Sequence, residues 1–230
     1  MLLRTLTFTG LCAGLLLSAN AFALSLGDLS QSDATGGLKD ALTQGAQVAV
    51  KQLGVPGGFS NNQDVRIELP GNLGKVAKKM KQFGMGAQVD QLETSMNQAA
   101  EAAVPQAQAL LVDAVKKMSV EDAKQVLTGG DDSVTQFFVG KTREPLGVKF
   151  LPIVTRATEK VSLAERYNDV AGKALAMGLV KKEDANVQQY VTAKALDGLF
   201  LMIGEEERKI RKDPVATGSA ILKKVFGALK

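Results

Sequence analysis

The chain has 230 residues and a formal net charge of +4; 45% of its residues are hydrophobic and 23% charged, with no histidine, no tryptophan and one cysteine. That composition belongs to a folded globule, and the length to one large domain or two small ones. Without histidine, Ser-His-Asp and Cys-His catalysis, imidazole metal ligands and a charge switch centred near neutrality are excluded.

Residues 1–23 read as a secretory signal peptide. Arg4 supplies the positive start, Leu6 to Leu17 form an uncharged apolar run, and Ala21-Phe22-Ala23 places small residues where a signal peptidase needs them. The run is shorter than the ~20 apolar residues of a membrane span. Cys12 sits inside it behind Leu11, which does not fit a lipoprotein. A cut after Ala23 removes Cys12, so thiol catalysis, thiolate metal sites and disulfides are excluded from the mature chain. The expected address is periplasmic.

Residues 24–36 read as a flexible arm. From Leu38, a helical face of Leu38, Leu42, Ala46, Ala49 and Leu53 ends at Gly54 and Pro56-Gly57-Gly58. Val65, Ile67 and Leu69 alternate with Arg66 and Glu68, the one clean strand signal. A single strand must pair elsewhere, within or between chains, or serve as an extended connector. Leu73, Val76, Met80 and Phe83 mark a short helix with Lys75, Lys78, Lys79 and Lys81 on its other face, broken at Gly84-Met85-Gly86.

A longer stripe follows through Val89, Leu92, Met96, Ala99, Ala103, Ala107, Leu110, Ala114 and Met118. Pro105 either kinks one helix or opens a second. Ser119 and Asp122 resemble a capping box for a helix with Val120, Ala123 and Leu127, closed by Gly129-Gly130. Asp131, Asp132 and Ser133 offer caps for a helix with Val134, Phe137 and Phe138. A separate helix with Leu146, Phe150, Ile153, Val154, Ala157 and Val161 is irregular at Pro152. Ser162 and Glu165 open another, with Leu163, Tyr167, Val170, Ala174 and Met177 inward. Residues 186–212 form a long helix, apolar nearly all round between Ala195 and Gly204 and therefore central. Ile221, Leu222, Val225, Phe226 and Leu229 close the chain as an amphipathic segment. The expected fold is all-α: a single helical domain over 37–230 with one short extended segment near residues 64–69.

The segments GLKDALTQGAQVAVKQLG (37–54), VRIELPGNL (65–73), MNQAAEAAVPQA (96–107), MSVEDAKQVLTGGDDSVTQFF (118–138), YVTAKALDGLF (190–200) and EEERKIRKDPVATGSAILKKVFG (205–227) resemble successive blocks of one bacterial secreted family, catalogued as Domain of Unknown Function 4197. The resemblance covers Gly37 to Gly227. It implies an exported, mostly helical envelope protein and carries over no activity. Thr217 stands where that family's pattern has an arginine, so a role for that arginine does not transfer.

Several constellations invite chemistry. Asp197 is the one ionised residue from Ala195 to Gly204 and is expected among apolar neighbours, where a carboxylate must be paired, hydrogen-bonded or protonated. Lys194 lies one turn away as a partner, and Asp197-Gly198 could instead break the helix. Asn97 and Glu101 share a face of an alanine-rich helix with Gln108. The candidate ligand-binding set is thus Asn97, Glu101, Lys194 and Asp197, weighed against close helix packing and a structural ion pair. For a carboxylate-based hydrolase or lyase the candidate catalytic residues are Asp197, Glu101 and Tyr167. The adjacent acids Glu121/Asp122, Asp131/Asp132 and Glu183/Asp184 sit where N-caps belong. In the charged run 205–213, Glu205–Lys209 and Glu207–Arg211 have the spacing of solvated helix pairs. Lys75, Lys78, Lys79, Arg208 and Arg211 are the candidate surface-interaction residues, and two basic amphipathic segments could lie on anionic lipid.

The sequence calls for no cofactor and no metal, and an exported address without a phosphate loop gives no reason to expect nucleic acid. The expected role is a non-enzymatic periplasmic binding or interaction protein using an apolar groove or a helix face. Its partner would be an envelope protein, an apolar small molecule or anionic lipid. Enzymatic and peripheral-membrane roles stand as alternatives.

Overall fold

Leu38, Leu42, Ala46, Ala49 and Leu53 are all buried on one face of helix α1 (Gln31–Leu53) in the computed structural model. The structure describes residues 31–71, 73–75, 82, 86–159, 163–176, 178, 181–182 and 185–213. Residues 1–23, read as a signal peptide, residues 24–30, most of the helix expected through Lys78 and Lys79, Val161, Ser162, Met177, Glu183/Asp184 and everything from Pro214 onward lie outside them. Helix α1 already runs through 31–36, which the sequence assigns to a loose arm. Once the stretch from Leu38 is docked, each further residue gains one hydrogen bond at the cost of fixing one residue, so the helix propagates back through Gly36-Gly37.

Helix α2 (Gly86–Ala103) and helix α3 (Ala107–Lys116) flank a single 3₁₀ turn, Val104–Gln106, with Pro105 at its start. Of the two expectations for Pro105, the opening of a new element holds: the proline stands at the first positions of the 3₁₀ turn that leads into α3, without a side-chain cap bond. Beyond this turn the apolar face shifts by one position. Met96, Ala99, Ala103 and Ala107 are buried as expected, but in α3 it is Leu111 and Val115 that face inward, with Leu110 and Ala114 half-buried. Gly54 makes room for this turn, since a Cβ there would lie 2.9 Å from Pro105 Cγ.

Helix α4 (Val120–Thr128) opens with the expected capping box: Asp122 N donates to Ser119 Oγ at 3.0 Å, and Ser119 N donates to Asp122 Oδ2 at 3.0 Å. These bonds to Ser119 hold the Asp122 carboxyl below the ordinary carboxylate range, aided by Lys141. Helix α5 (Ser133–Thr158) is one continuous element containing Pro145 and Pro152, where the sequence suggests two helices. Each proline forfeits one bond, to the carbonyls of Lys141 and Val148. All four of these residues are exposed, so the freed carbonyls remain beside solvent and the helix continues. Helix α6 (Leu163–Ala176) follows, and its Asn168 accepts a 2.8 Å bond from Val187 N.

Helix α7 (Val187–Lys212) is capped by Asn186, whose side chain accepts from Gln189 N at 3.0 Å. Leu196, Leu199, Phe200, Met202 and Ile203 are buried along its middle, which packs most extensively against α5 and then against α1 and α2. The helix does not break at Asp197-Gly198. Gly198 instead lets the connector approach: a Cβ there would lie 2.8 Å from Phe59 Cε1 and 3.2 Å from Val65 Cβ. The fold is all-α, as expected. Among the described residues there is no strand ladder, and residues 65–69 form the extended connector with Val65 and Ile67 buried and Arg66 and Glu68 exposed.

Candidate functional site

On α2, Glu93, Asn97 and Glu101 recur every four residues and are all buried, a polar ridge inside the core. It faces the chain segment that leaves α1. Ile67 N donates to Asn97 Oδ1 at 2.9 Å, and Asn97 Nδ2 donates to Ile67 O at 2.9 Å and to Glu93 O at 2.7 Å. One turn on, Glu101 Oε1 accepts from Phe59 N at 3.1 Å, Ser60 N at 3.2 Å and Ser60 Oγ at 3.2 Å. Both side chains do the work a neighbouring strand would do, satisfying buried backbone groups that otherwise carry the full cost of desolvation. They share their face with this segment and not with Gln108, which is exposed.

The opposite edge of the connector borders a groove. Its wider part, about 700 Å³, is lined by Gln63 to Arg66, Glu68 to Gly71, Tyr190, Lys194, Asp197, Gly198 and Leu201. A second hollow of about 550 Å³ shares Pro70, Gly71, Tyr190, Lys194 and Asp197 with it and adds Arg143, Lys181 and Ala193. Tyr190 forms the hinge of the two, its hydroxyl donating to Glu68 O at 2.8 Å. Arg143 Nη2 lies 2.7 Å from Asp197 Oδ1, and Lys194 Nζ lies 3.7 Å from Asp197 Oδ2. Arg143 also stands 5.9 Å over the Phe200 ring and Lys194 5.9 Å over the Tyr190 ring, contacts that orient both cations. By contrast, the apolar hollow between α1 and α7 holds only about 20 Å³, room for roughly one water.

Asp197 is therefore not the buried acid its apolar neighbours suggest. Its side chain is 46% exposed, because on α7 the core-facing arc passes through Leu196, Gly198 and Leu199 and leaves position 197 at the groove. The expected pair with Lys194 forms, and Arg143, from α5, supplies a shorter one. Glu101 is committed to three donors in the core, and Tyr167 is buried on α6, so Asp197, Glu101 and Tyr167 do not converge on one pocket. Asn97 and Glu101 likewise do not join Lys194 and Asp197 in the groove. Among the described residues no cluster of acids is arranged to hold a metal ion. The residues missed by sequence reasoning are Arg143, Tyr190, Lys181 and Arg66. Tyr190 carried one faint signal, as one of only two tyrosines in the chain.

The charged tail of α7 holds a second buried constellation. The Glu207 side chain is only 2% exposed; its Oε1 lies 2.9 Å from Arg211 Nη2. Glu207 also accepts from Val134 N at 3.2 Å and Thr135 N at 3.3 Å, so it caps α5 from another helix. Asp132, the N-cap residue by position, makes no side-chain cap bond. Arg211 Nη2 donates onward to Ser133 Oγ at 2.7 Å and Val126 O at 3.0 Å. Desolvation pushes the Glu207 carboxyl above the ordinary carboxylate range, against the bonds from Val134, Arg211 and Thr135. The pair expected on a solvated helix end is thus a buried clasp, and Arg211 is withdrawn from the candidate interaction surface. Lys209 pairs with Glu206 at 2.7 Å rather than with Glu205. Lys75 and Arg208 are exposed, and Lys78 and Lys79 lie outside the described residues.

No curated protein and no solved structure matches the chain. A family model, described as a protein of unknown function (DUF4197), matches residues 28–227. The chain, with its all-helical core and polar groove along α7, belongs to that family.

Proposed function

We propose that this is an exported, non-enzymatic binding or interaction protein of the bacterial envelope, and that its recognition site is the groove between residues 63–71 and α7. The carrying observation is the contrast between the two kinds of cavity: about 700 Å³ of open polar groove against about 20 Å³ of apolar hollow. A groove of this size accommodates a ligand or a chain segment, with Tyr190, Arg143 and Lys194 held in place by ring and carboxylate contacts. Its lining is mixed and charged, so the recognised group is polar or ionic rather than the apolar molecule the sequence suggests. Export rests on residues 1–23. Among the described residues no helix is long and apolar enough to cross a membrane.

The test has two parts. The mass of the protein recovered from the periplasm should correspond to a chain beginning at Leu24. Native mass spectrometry of that protein should find a bound species that is lost in the double variant Ala193→Phe, Leu201→Trp, which fills both hollows of the groove from α7. A chain retaining residues 1–23 in the cytosol would overturn the export reading. A bound species that persists in that double variant would overturn the site.

A further inference from the structure

The connector that forms one wall of the groove is an extended run with two edges. Its inner edge is closed, because Ile67 N and Ile67 O are both bonded to the Asn97 amide. Its outer edge is partly closed: Arg66 N donates to Asn62 O at 2.9 Å, and Glu68 O accepts from Tyr190. Between those two bonds lie Arg66 O and Glu68 N, and neither has a hydrogen-bond partner among the described residues. An acceptor at one position and a donor two positions on, both on the same edge, are the pair that a single residue of an incoming parallel strand engages with its own N–H and C=O. Edges of this kind are where extended peptides add to a fold.

The charges along the groove are not uniform. Beside residues 63–68 they are mixed, with Asp64, Arg66 and Glu68. Beside Pro70 and Gly71 the hollow is lined by Arg143, Lys181 and Lys194, with Asp197 the one carboxylate among its described lining residues. A peptide running parallel to the connector travels from Arg66 toward Gly71, from the mixed end to the cationic end. The distance from Ile67 to Gly71 is about four residues of extended chain at roughly 3.3 Å each. A chain that ends there brings its terminal carboxylate to the cations, which are already oriented by Phe200 and Tyr190. Leu69, Pro70 and Leu201 supply apolar contact along the way.

We propose that the groove binds the C-terminal tail of another protein as an extended segment, parallel to residues 66–68, with its α-carboxylate set between Arg143 and Lys194. This rests on the groove being the recognition site and names what enters it. Main-chain bonds at Arg66 O and Glu68 N set the register, and the carboxylate selects chain ends over internal segments.

The probe is a fluorescein-labelled heptapeptide of alternating threonine and valine with a free C-terminal carboxylate, compared with the same peptide amidated, by anisotropy at low ionic strength. The free acid should bind at least 10-fold more tightly. In the double variant Arg143→Gln, Lys194→Gln the two peptides should bind alike, and the amidated peptide should bind as it does to the parent protein. In the 15N-labelled parent protein the free acid should slow exchange of the Glu68 amide proton. Equal binding of acid and amide to the parent, no binding of either at millimolar peptide, or an unprotected Glu68 amide would each overturn the proposal. The groove reading is judged separately, by the species lost in the double variant Ala193→Phe, Leu201→Trp; if that species is a small molecule and the peptides fail, the groove stands and the tail does not.

Discussion

The amide of Asn97 grips the backbone of Ile67 by both its groups, donating to its carbonyl and accepting from its N–H at 2.9 Å each, across 30 residues of chain. A connector without a strand neighbour is held in the core by one side chain acting as a strand. Replacing Asn97 with Ala would strand both backbone groups in a site where Asn97 itself is 1% exposed. The expected cost is about 2–4 kcal/mol, one unsatisfied buried group costing about 1–3. Urea unfolding measures it. Asn97→Asp turns a buried carboxylate oxygen toward the carbonyls of Ile67 and Glu93 and should cost at least as much as Asn97→Ala.

Glu101 supports a sharper contrast. Glu101→Ala leaves Phe59 N, Ser60 N and Ser60 Oγ without their acceptor and should cost about 2–3 kcal/mol. Glu101→Gln retains a carbonyl oxygen at the same place and should cost roughly half as much. Equal losses for the two substitutions would show that the three donors are not what the side chain is there to satisfy.

Glu207 makes stability depend on pH, and the sign follows from its burial. Its carboxyl is raised in the folded protein, so the folded state holds that proton more tightly than the unfolded chain. The resulting stabilisation is fully present below the ordinary glutamate value and is lost as pH rises through the raised one. Glu207→Gln cannot ionise and lacks this slope. The unfolding free energy of the parent minus that of Glu207→Gln should therefore decline between mildly acid and neutral pH. A difference that grows over that window would mean that Arg211 and the α5 amides outweigh desolvation.

Two helical glycines should respond in opposite directions. At Gly198 a Cβ would press on Phe59 Cε1 at 2.8 Å, and Gly198→Ala should cost about 1–3 kcal/mol through overpacking. At Gly140, within α5, a Cβ meets nothing within 4 Å. Gly140→Ala should stabilise the protein by up to about 1 kcal/mol, the difference in helix propensity. Thermal melts of the two variants beside the parent decide both.

The helices were legible because a helix writes its period into a few adjacent turns. Leu38 to Leu53, Met96 to Ala107 and the apolar middle of α7 all occupy the faces their spacing predicts. The Ser119–Asp122 box was legible for the same reason, since both partners lie within one turn. What spacing could not reveal was the phase slip at Pro105, where the turn Val104–Gln106 packs against Gly54. Nor could it show that Pro145 and Pro152 both fall on the wet side of a single helix.

The sequence by itself determined the fold class, the absence of imidazole chemistry, and which helix lies at the centre. Only the tertiary structure decided what the polar residues do. Glu101 turned inward to a loop, Asp197 outward to Arg143, and Glu207 across to the start of a helix 74 residues earlier. Apolar residues need only a common face, which local repetition supplies. A carboxylate or an amide needs a specific donor at about 3 Å, and that donor comes from a chain segment whose distance along the sequence carries no period.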